Sequence, residues 1–310
     1  MNYSYGCRPP VIPEEVLPSK PPTRRKLRRE ITAPYTLSSL TQLYAELARN
    51  TGQPDPGQKT KELSKRQIRE LTRIMNEREN GIVKAKYLTP SLASGGVPEP
   101  TRAYLDQSLL PPAILPSPRK ILIILDLNGS ILYRPEHRRP SRFVERRHAG
   151  RFIDYCLDTF RLAIWSSARH QNVESMVNQM FSSEQRRQLV VVWSREHLGL
   201  SSDDYGSRVQ CYKRLSTIWG NSDVQKSHPT AQLGGRWDQS NTVLVDDSRE
   251  KGRSEPHNIL TIPEFSVPED DENHDVLPQV HDYLNELARQ EDISRYMRLH
   301  PFEIDPFYQL

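Results

Sequence analysis

A segment near the middle of the chain combines a buried-strand pattern with residues that could carry out chemistry. Five apolar residues, 121–125, run directly into Asp126, and Asn128, Gly129 and Ser130 follow closely. An unbroken run of long and β-branched apolar residues predicts a strand that is buried on both faces, as in a parallel sheet. In open α/β sheets, ligands bind at the carboxyl ends of the strands. Asp126 is therefore a candidate nucleophile or metal ligand.

Polar residues also stand at or between the ends of other predicted strands. They are Ser166 and Ser167, Lys213, and the pair Asp246 and Asp247. Parallel topology would bring these strand ends to one edge of the sheet, where three carboxylates would repel one another unless a cation intervened. Oxygen ligands suit Mg²⁺. An aspartate, a hydroxyl, a lysine and a magnesium site together indicate phosphoryl transfer through an aspartyl-phosphate.

Each of these residues also has a purely structural interpretation. Asp126 could be a turn or helix-cap residue, and Asp246, Asp247 and Ser166 could likewise stand at caps. Lys213 taken alone is typical of a solvated surface lysine. Their order on successive strands of one predicted sheet favours the chemical interpretation over any single structural one.

The elements that must position these residues begin near residue 119. Strands are expected at 121–125, 160–165, 189–193, 242–245 and 259–262, and helices at 152–157, 170–181 and 276–288. Strands that alternate with helices predict an α/β fold with a parallel, doubly wound, Rossmann-like sheet.

We expect little packed core in the N-terminal third, because 16 of the 25 prolines precede residue 119. Amphipathic patterns at 40–49 and 59–79 predict one or two helices there, and proline-rich residues 90–118 predict a linker. The expected organisation is a mostly disordered extension at 1–116, a folded domain at 117–292 and a C-terminal tail at 293–310.

Charge and cysteine content narrow the class of protein. The net charge of +4 is mild, and the basic run at 24–29 could be a nuclear-import signal, a nucleic-acid patch or a solvated disordered segment. Three widely spaced cysteines argue against a zinc site or a disulfide framework. No apolar run approaches the roughly 20 residues of a membrane span. We expect an intracellular protein, nuclear rather than cytoplasmic, with neither a membrane nor a nucleic acid as its partner.

Taken together, the motifs resemble a known family. The apolar strand followed by Asp-x-Asn-Gly-Ser at 126–130 resembles a variant of the Asp-x-Asp-x-Thr signature of the haloacid-dehalogenase superfamily. Residues 164–168, the Lys-x-Leu-Ser segment at Lys213, and residues 245–250 resemble the branch of the RNA polymerase II C-terminal-domain phosphatases and NLI-interacting-factor-like phosphatases. The resemblance covers roughly residues 117–285 and implies a sheet of haloacid-dehalogenase type.

The resemblance implies a role for each matching residue. Asp126 would be the nucleophile, Ser130 would take the place of the usual threonine, Ser166 would bind phosphate, Lys213 would neutralise charge, and Arg195 would face the substrate phosphate. Asp126, Asp247 and Asp246, with the backbone carbonyl of residue 128, would hold Mg²⁺. The implied substrate is a phosphoprotein, with the C-terminal domain of RNA polymerase II as one candidate.

Two features depart from the family pattern. Asn128 stands where the second aspartate would protonate the leaving group and then activate water, and an amide cannot exchange a proton at neutral pH. The loss of a general acid–base typically removes about 10²–10⁴-fold of rate. In addition, the short segment 133–145 leaves little room for the substrate-reading hairpin insert of the small phosphatases.

Two hypotheses follow from these features. The first is an Mg²⁺-dependent phosphatase that acts on phosphoserine or phosphothreonine of a protein through an aspartyl-phosphate, and that is weakened by Asn128. The second is a catalytically silent phosphate-recognition or scaffold domain. A role like that of the mitochondrial translocase receptor belongs to this second class, but the sequence shows neither a membrane span nor an arginine-rich presequence. The retained nucleophile, lysine and metal acids favour the first hypothesis.

Overall fold

The computed structural model describes residues 87–136, 142–266, 275–305, 307, 308 and 310. By its internal contacts the chain divides into residues 1–84 and 85–310, and the described residues all lie in the second unit. The basic run at 24–29 and the helices predicted at 40–49 and 59–79 lie outside the described residues.

The described residues form seven strands, of which five make up the parallel central sheet. In chain order the strands are β1 (Leu122–Leu125), β2 (Leu132–Tyr133), β3 (Val144–Glu145), β4 (Arg161–Trp165), β5 (Val192–Trp193), β6 (Thr242–Asp246) and β7 (Ile259–Thr261). The sheet order is β5-β4-β1-β6-β7, and every neighbouring pair is parallel. The short strands β2 and β3 pair antiparallel beside it. The predicted α/β class with a parallel sheet is confirmed.

Helices connect and flank the strands. They are α1 (Arg102–Ser108), α2 (Ala149–Thr159), α3 (His170–Met180), α4 (Ser183–Gln188), α5 (Ser202–Gly206), α6 (Leu215–Gly220), α7 (Ser222–Lys226), α8 (Val276–Ala288) and α9 (Ile293–Leu299). Single 3₁₀ turns lie at Leu92–Ser94, Arg195–His197, Ala231–Leu233 and Arg249–Gly252. Within the described ranges, no helix is both long and apolar enough to cross a membrane.

Strand β1 lies at the centre of the sheet, and side chains of β1 and of Ile121 before it pack into two apolar layers. Ile121, Ile123 and Leu125 pack into one core cluster together with residues of α2, α3, α8 and α9. Leu122 and Ile124 pack into the other cluster together with residues of α6 and α7. Since side chains alternate between the faces of a strand, an unbroken apolar run fills both layers. Burying each such side chain stabilises the fold by about 1.5–3 kcal/mol.

The segment predicted as a linker, 90–118, is packed against this core instead. Thr101 caps α1 by accepting a hydrogen bond from the backbone N–H of Tyr104. Tyr104 is buried, and its hydroxyl donates to Oδ1 of Asn258 across 2.9 Å. The linker prediction is wrong because the prolines flank a helix whose anchoring partner is distant in sequence.

Helix α9 likewise differs from the expectation of a tail at 293–310. Ile293 and Met297 are buried and belong to the first core cluster. Asp292 caps this helix by accepting a hydrogen bond from the backbone N–H of Arg295. Residues 293–299 are therefore part of the packed core.

Candidate active site

The carboxyl ends of the two central strands bring two carboxylates onto one lysine. Asp126 follows β1, and Asp246 ends β6. Nζ of Lys213 donates to Oδ1 of Asp126 at 2.7 Å and to Oδ2 of Asp246 at 2.6 Å. All three side chains are buried, and Lys213 is 0% exposed. The interpretation of Lys213 as a solvated surface lysine is therefore wrong.

A second lysine and a third carboxylate complete the group on its outer side. Nζ of Lys251 donates to Oδ1 of Asp246 at 2.8 Å, to Oδ1 of Asp247 at 2.8 Å and to Oδ2 of Asp126 at 3.4 Å. The side chains of Asp247 and Lys251 are each 14% exposed. We call these five residues, Asp126, Lys213, Asp246, Asp247 and Lys251, the carboxylate–lysine cluster.

The pKa values in this cluster follow from burial and from the neighbouring charges. Burial by itself would raise the pKa of Asp246, but the ammonium groups of Lys213 and Lys251 outweigh it and hold that pKa well below its ordinary range. Burial and the charges of Asp126 and Asp246 raise the pKa of Asp247 to about 7, against the opposing effect of Lys251. Asp246 is thus a fixed anion.

Two small residues after β1 allow the close approach of these groups. Gly129 has a φ of 91°, and a Cβ at this position would lie 2.8 Å from Oδ2 of Asp247. The hydroxyl of Ser130 is buried and donates to Oδ2 of Asp126 at 3.4 Å. Glycine at position 129 therefore makes room for the third carboxylate.

The donor set has the chemistry of a divalent-cation site. One oxygen from each of Asp126, Asp246 and Asp247 lies within 4.8 Å of the other two. Hard cations such as Mg²⁺ prefer oxygen ligands of this kind. These three residues could hold such an ion, and Asp246 is also used locally, because its Oδ1 accepts the backbone N–H of Ser248 at 3.0 Å.

Asn128 lies at the edge of this group and makes a contact of its own. Its Oδ1 accepts a hydrogen bond from the backbone N–H of Arg134 at 3.2 Å. The amide oxygen thereby joins the segment after β1 to the start of the loop that follows β2. No titratable side chain stands at the position where the resemblance places the general acid.

The cluster opens into a polar cleft of about 610 Å³. Its lining includes Asn128, Arg134, Ser167, Arg195, Asp247 and Lys251. Asp247 and Lys251 are thus the members of the cluster that a ligand in the cleft would meet first.

Two predicted phosphate ligands have other contacts in the structure. Ser166 is buried, and its Oγ accepts the backbone N–H of Ala168 at 3.3 Å, whereas the adjacent Ser167 lines the cleft. The guanidinium of Arg195 donates to the carbonyls of Asp204, Tyr205 and Ser207. Arg195 therefore holds the 204–207 segment, and its contact with substrate stays a prediction.

Sequence reasoning missed two cationic residues of the site. Lys251 lies five residues beyond Asp246 on a 3₁₀ turn, and this short spacing was the only signal available for it. Arg134 lines the cleft and is buried, and its Nε and Nη1 atoms have no hydrogen-bond partner within the described part of the chain. Burial lowers the pKa of this guanidinium.

The chain is similar in sequence to a known protein. The chain is 29% identical, over 221 residues, to an uncharacterized FCP1 homology domain-containing protein of Schizosaccharomyces pombe, and the match covers 67% of this chain and 86% of that protein.

Two solved structures are also similar, both of the RNA polymerase II CTD phosphatase Fcp1. One is a variant of the fission yeast protein bound to beryllium fluoride, with a TM-score of 0.32 and 14% identity, covering 53% of this chain and 44% of that chain. The other has a TM-score of 0.32 and 12% identity, covering 61% of this chain and 55% of that chain. This chain thus spans about half the length of those structures.

The match to a family profile covers the whole sheet. The profile described as NLI interacting factor-like phosphatase matches residues 121–294, which is more than half of the chain. This range contains every member of the carboxylate–lysine cluster. The chain therefore belongs to the NLI interacting factor-like phosphatase family.

Proposed function

We propose that this domain is a phosphatase that removes phosphate from phosphoserine or phosphothreonine of a protein through an aspartyl-phosphate at Asp126. The observation that carries the proposal is the placement of Asp126, buried at the end of β1 and held by Lys213 at 2.7 Å. A carboxylate that is fixed in this way, beside a polar cleft, is oriented for nucleophilic attack.

The two oxygens of Asp126 have different surroundings. Oδ1 is held by Lys213 at 2.7 Å, whereas the contacts of Oδ2 within the described residues, with Ser130 and Lys251, are both 3.4 Å long. Oδ2 is therefore the freer oxygen and the proposed nucleophile. Attack forms a bond from this oxygen to phosphorus and breaks the bond from phosphorus to the serine or threonine oxygen.

Asn128 should slow both the formation and the hydrolysis of the aspartyl-phosphate. The departing alkoxide must take up a proton, and the water that later attacks the aspartyl-phosphate must lose one. An amide can do neither, so solvent has to supply and accept these protons. We expect a cost of about 10²–10⁴-fold relative to an aspartate at this position. An aryl phosphate has a stable leaving group and largely avoids the first of these costs.

The proposed cofactor is Mg²⁺, held by Asp126, Asp247 and Asp246. When bound, such an ion neutralises the negative charge of the transferring phosphoryl group. Lys213 supplies positive charge at Asp126 in either case. Arg134, Ser167 and Arg195 line the cleft in which the phosphate would lie. We propose a phosphoprotein segment as the substrate, and the C-terminal domain of RNA polymerase II is one candidate.

Rapid-quench measurements on the full chain test this proposal. With Mg²⁺ and an aryl phosphate, the wild-type protein should accumulate acid-stable phosphoprotein on Asp126 and turn over slowly. Asn128→Asp should raise turnover of a phosphoserine peptide by about 10²–10⁴-fold, and by less for the aryl phosphate. Asp126→Asn should form no phosphoprotein. Absence of phosphoprotein and of turnover in both the wild type and Asn128→Asp would overturn the proposal.

One observation favours a second candidate function, a silent phosphate-recognition domain. The side chain at position 128 contacts the backbone of Arg134 rather than standing free as a proton donor. For such a domain, a phosphoserine peptide should bind without hydrolysis, and Lys213→Ala should abolish this binding. Failure of Asn128→Asp to restore turnover, together with intact peptide binding, would select this candidate over the phosphatase.

A further inference from the structure

Lys251 lies among the same three carboxylates that could hold a divalent cation. Its Nζ is 2.8 Å from Oδ1 of Asp246, 2.8 Å from Oδ1 of Asp247 and 3.4 Å from Oδ2 of Asp126. In the residues that the structure describes, these carboxylates are the one group of three acidic, histidine or cysteine side chains able to share a metal ion. A bound cation would need the space around these oxygens that the ammonium group now takes.

The two lysines of the cluster differ in their freedom to move. Lys213 is 0% exposed and is held between Asp126 and Asp246. Lys251 lines the cleft, and its side chain is 14% exposed. The backbone joins the two lysines, because the N–H of Lys213 donates to the carbonyl of Lys251 at 2.7 Å. The Lys251 side chain can therefore leave toward the cleft while its backbone stays in place.

Electrostatic repulsion makes the Lys251 ammonium and a divalent ion compete for this site. Three carboxyl groups face two ammonium groups here, so the acidic groups outnumber the lysines. An ammonium and a divalent ion at the same oxygens repel strongly in a buried setting, where screening by water is weak. Lys213 contacts the other oxygens of Asp126 and Asp246, so it does not take the same place. The site can hold either the Lys251 ammonium or the metal at these oxygens, but not both.

We propose that Lys251 is an internal competitor of Mg²⁺, which stabilises the metal-free cluster and must swing into the cleft before the ion binds. The displaced ammonium would then lie where an anionic phosphate is expected. A phosphate in the cleft would therefore favour the displaced position and raise the affinity for Mg²⁺, and by reciprocity Mg²⁺ would raise the affinity for phosphate. The inference rests on the cation site of the proposed function but requires no catalysis.

Calorimetric titration of the metal-free full chain with Mg²⁺ tests this inference. Lys251→Met should bind Mg²⁺ at least about tenfold more tightly than the wild type, because the competing charge is gone. Lys251→Arg keeps the charge and should resemble the wild type. Lys226→Met is the matched control, since Lys226 pairs with the exposed Asp223 and should not change the affinity. Inorganic phosphate should raise the Mg²⁺ affinity of the wild type more than that of Lys251→Met.

Thermal unfolding gives a second readout that does not depend on activity. Without Mg²⁺, Lys251→Met should melt below the wild type, because the carboxylates lose a counter-ion, and saturating Mg²⁺ should raise its melting temperature more than that of the wild type. If Lys251→Met does not fold without the ion, Lys251→Gln keeps a hydrogen-bond donor and replaces it in both measurements.

The possible outcomes separate this inference from the proposed function. Equal or weaker Mg²⁺ binding by Lys251→Met would overturn the role of Lys251 and leave the cation site standing. No Mg²⁺ binding by either protein would overturn both the inference and the proposed cofactor. Phosphorylation of Asp126 is measured separately, so the phosphatase proposal can fail while tighter binding by Lys251→Met still supports the inference.

Discussion

The two ends of strand β6 bury polar groups in opposite ways. At its carboxyl end, Asp246 belongs to the carboxylate–lysine cluster, in which every side chain is ionisable and carboxyl groups outnumber lysines. At its amino end, the carbonyl of Thr242 accepts a hydrogen bond from Nδ2 of Asn258 at 2.7 Å. The groups that form hydrogen bonds with the Asn258 side chain are uncharged.

The amino-end network, as we call it, consists of Tyr104, Gln239, Thr242, Asn258 and Ser294. Nδ2 of Asn258 also donates to the carbonyl of Gln239, and its Oδ1 accepts from the Tyr104 hydroxyl. The side-chain amide of Gln239 donates to the carbonyl of Tyr104 and to Oγ of Ser294. This network joins helices α1 and α9 to the sheet.

The contrast between the two ends of β6 indicates which buried polar groups serve stability and which serve function. Uncharged groups that satisfy one another are buried at modest cost, so the amino-end network is suited to holding elements together. Buried charges are costly, and they are weak evidence for a stabilising role. A cluster of three carboxyl groups and two lysines beside a cleft is therefore better explained by a ligand that binds there.

The largest expected effect comes from removing the central cation of the carboxylate–lysine cluster. Lys213→Met leaves Asp126 and Asp246 without the ammonium that both contact, and breaking such a buried pair costs about 3–5 kcal/mol. Urea unfolding should show this loss, and Asp126→Asn in the same chain should recover part of it. A loss no greater than that of the control Lys226→Met would mean that the charged cluster is not tightly coupled.

The amino-end network should respond less strongly, and only in stability. Tyr104→Phe leaves Oδ1 of Asn258 and the backbone N–H of His257 without the hydroxyl that both contact. We expect a loss of about 1–3 kcal/mol in the free energy of unfolding. Binding of Mg²⁺ and phosphate should be unchanged. A change in either binding constant would contradict the claim that the amino-end network affects only stability.

Gly129→Ala should show the reverse balance, with a larger effect on the site than on the fold. The left-handed backbone costs alanine about 1–2 kcal/mol, and the new Cβ would displace Asp247. Calorimetry should find weaker Mg²⁺ binding. Gly150→Ala in α2 is the control, since nothing lies within 4 Å of its Cβ, and it should slightly stabilise the helix. Unchanged Mg²⁺ binding by Gly129→Ala would contradict the assignment of Asp247 as a ligand.

The smallest expected effect is a pH dependence at the amino end. His257 stacks on Tyr104 with ring centroids 6.2 Å apart, and burial, together with Arg298 and Arg249, lowers its pKa below the usual 6.5. The unfolded chain therefore binds this proton more readily, and stability is lost as the pH falls below about 6.5. Between pH 7 and 5, His257→Gln should lose less stability than the wild type. An equal slope for both proteins would show that this histidine titrates normally in the fold.

Much of the sheet could be predicted because its signals are local. The strand predicted at 242–245 is found at Thr242–Asp246, and the helix predicted at 276–288 is found at Val276–Ala288. Helix α1 was missed because Tyr104 and Ser108 are its only buried residues and prolines flank it. Its docking depends on a hydrogen bond to Asn258, a residue 154 positions away.

The sequence by itself determined the buried central strand, the parallel sheet and the convergence of Asp126, Asp246 and Asp247. These follow from apolar runs and from the rule that parallel strands end at one edge. Only the tertiary structure decided that Lys251 joins them and that Arg195 is held by loop carbonyls. It also decided that Asn128 contacts the backbone of Arg134. The physical reason is that these contacts depend on how loops and long side chains are placed relative to one another in the folded chain. Neither the periodicity nor the composition of the sequence encodes those distances.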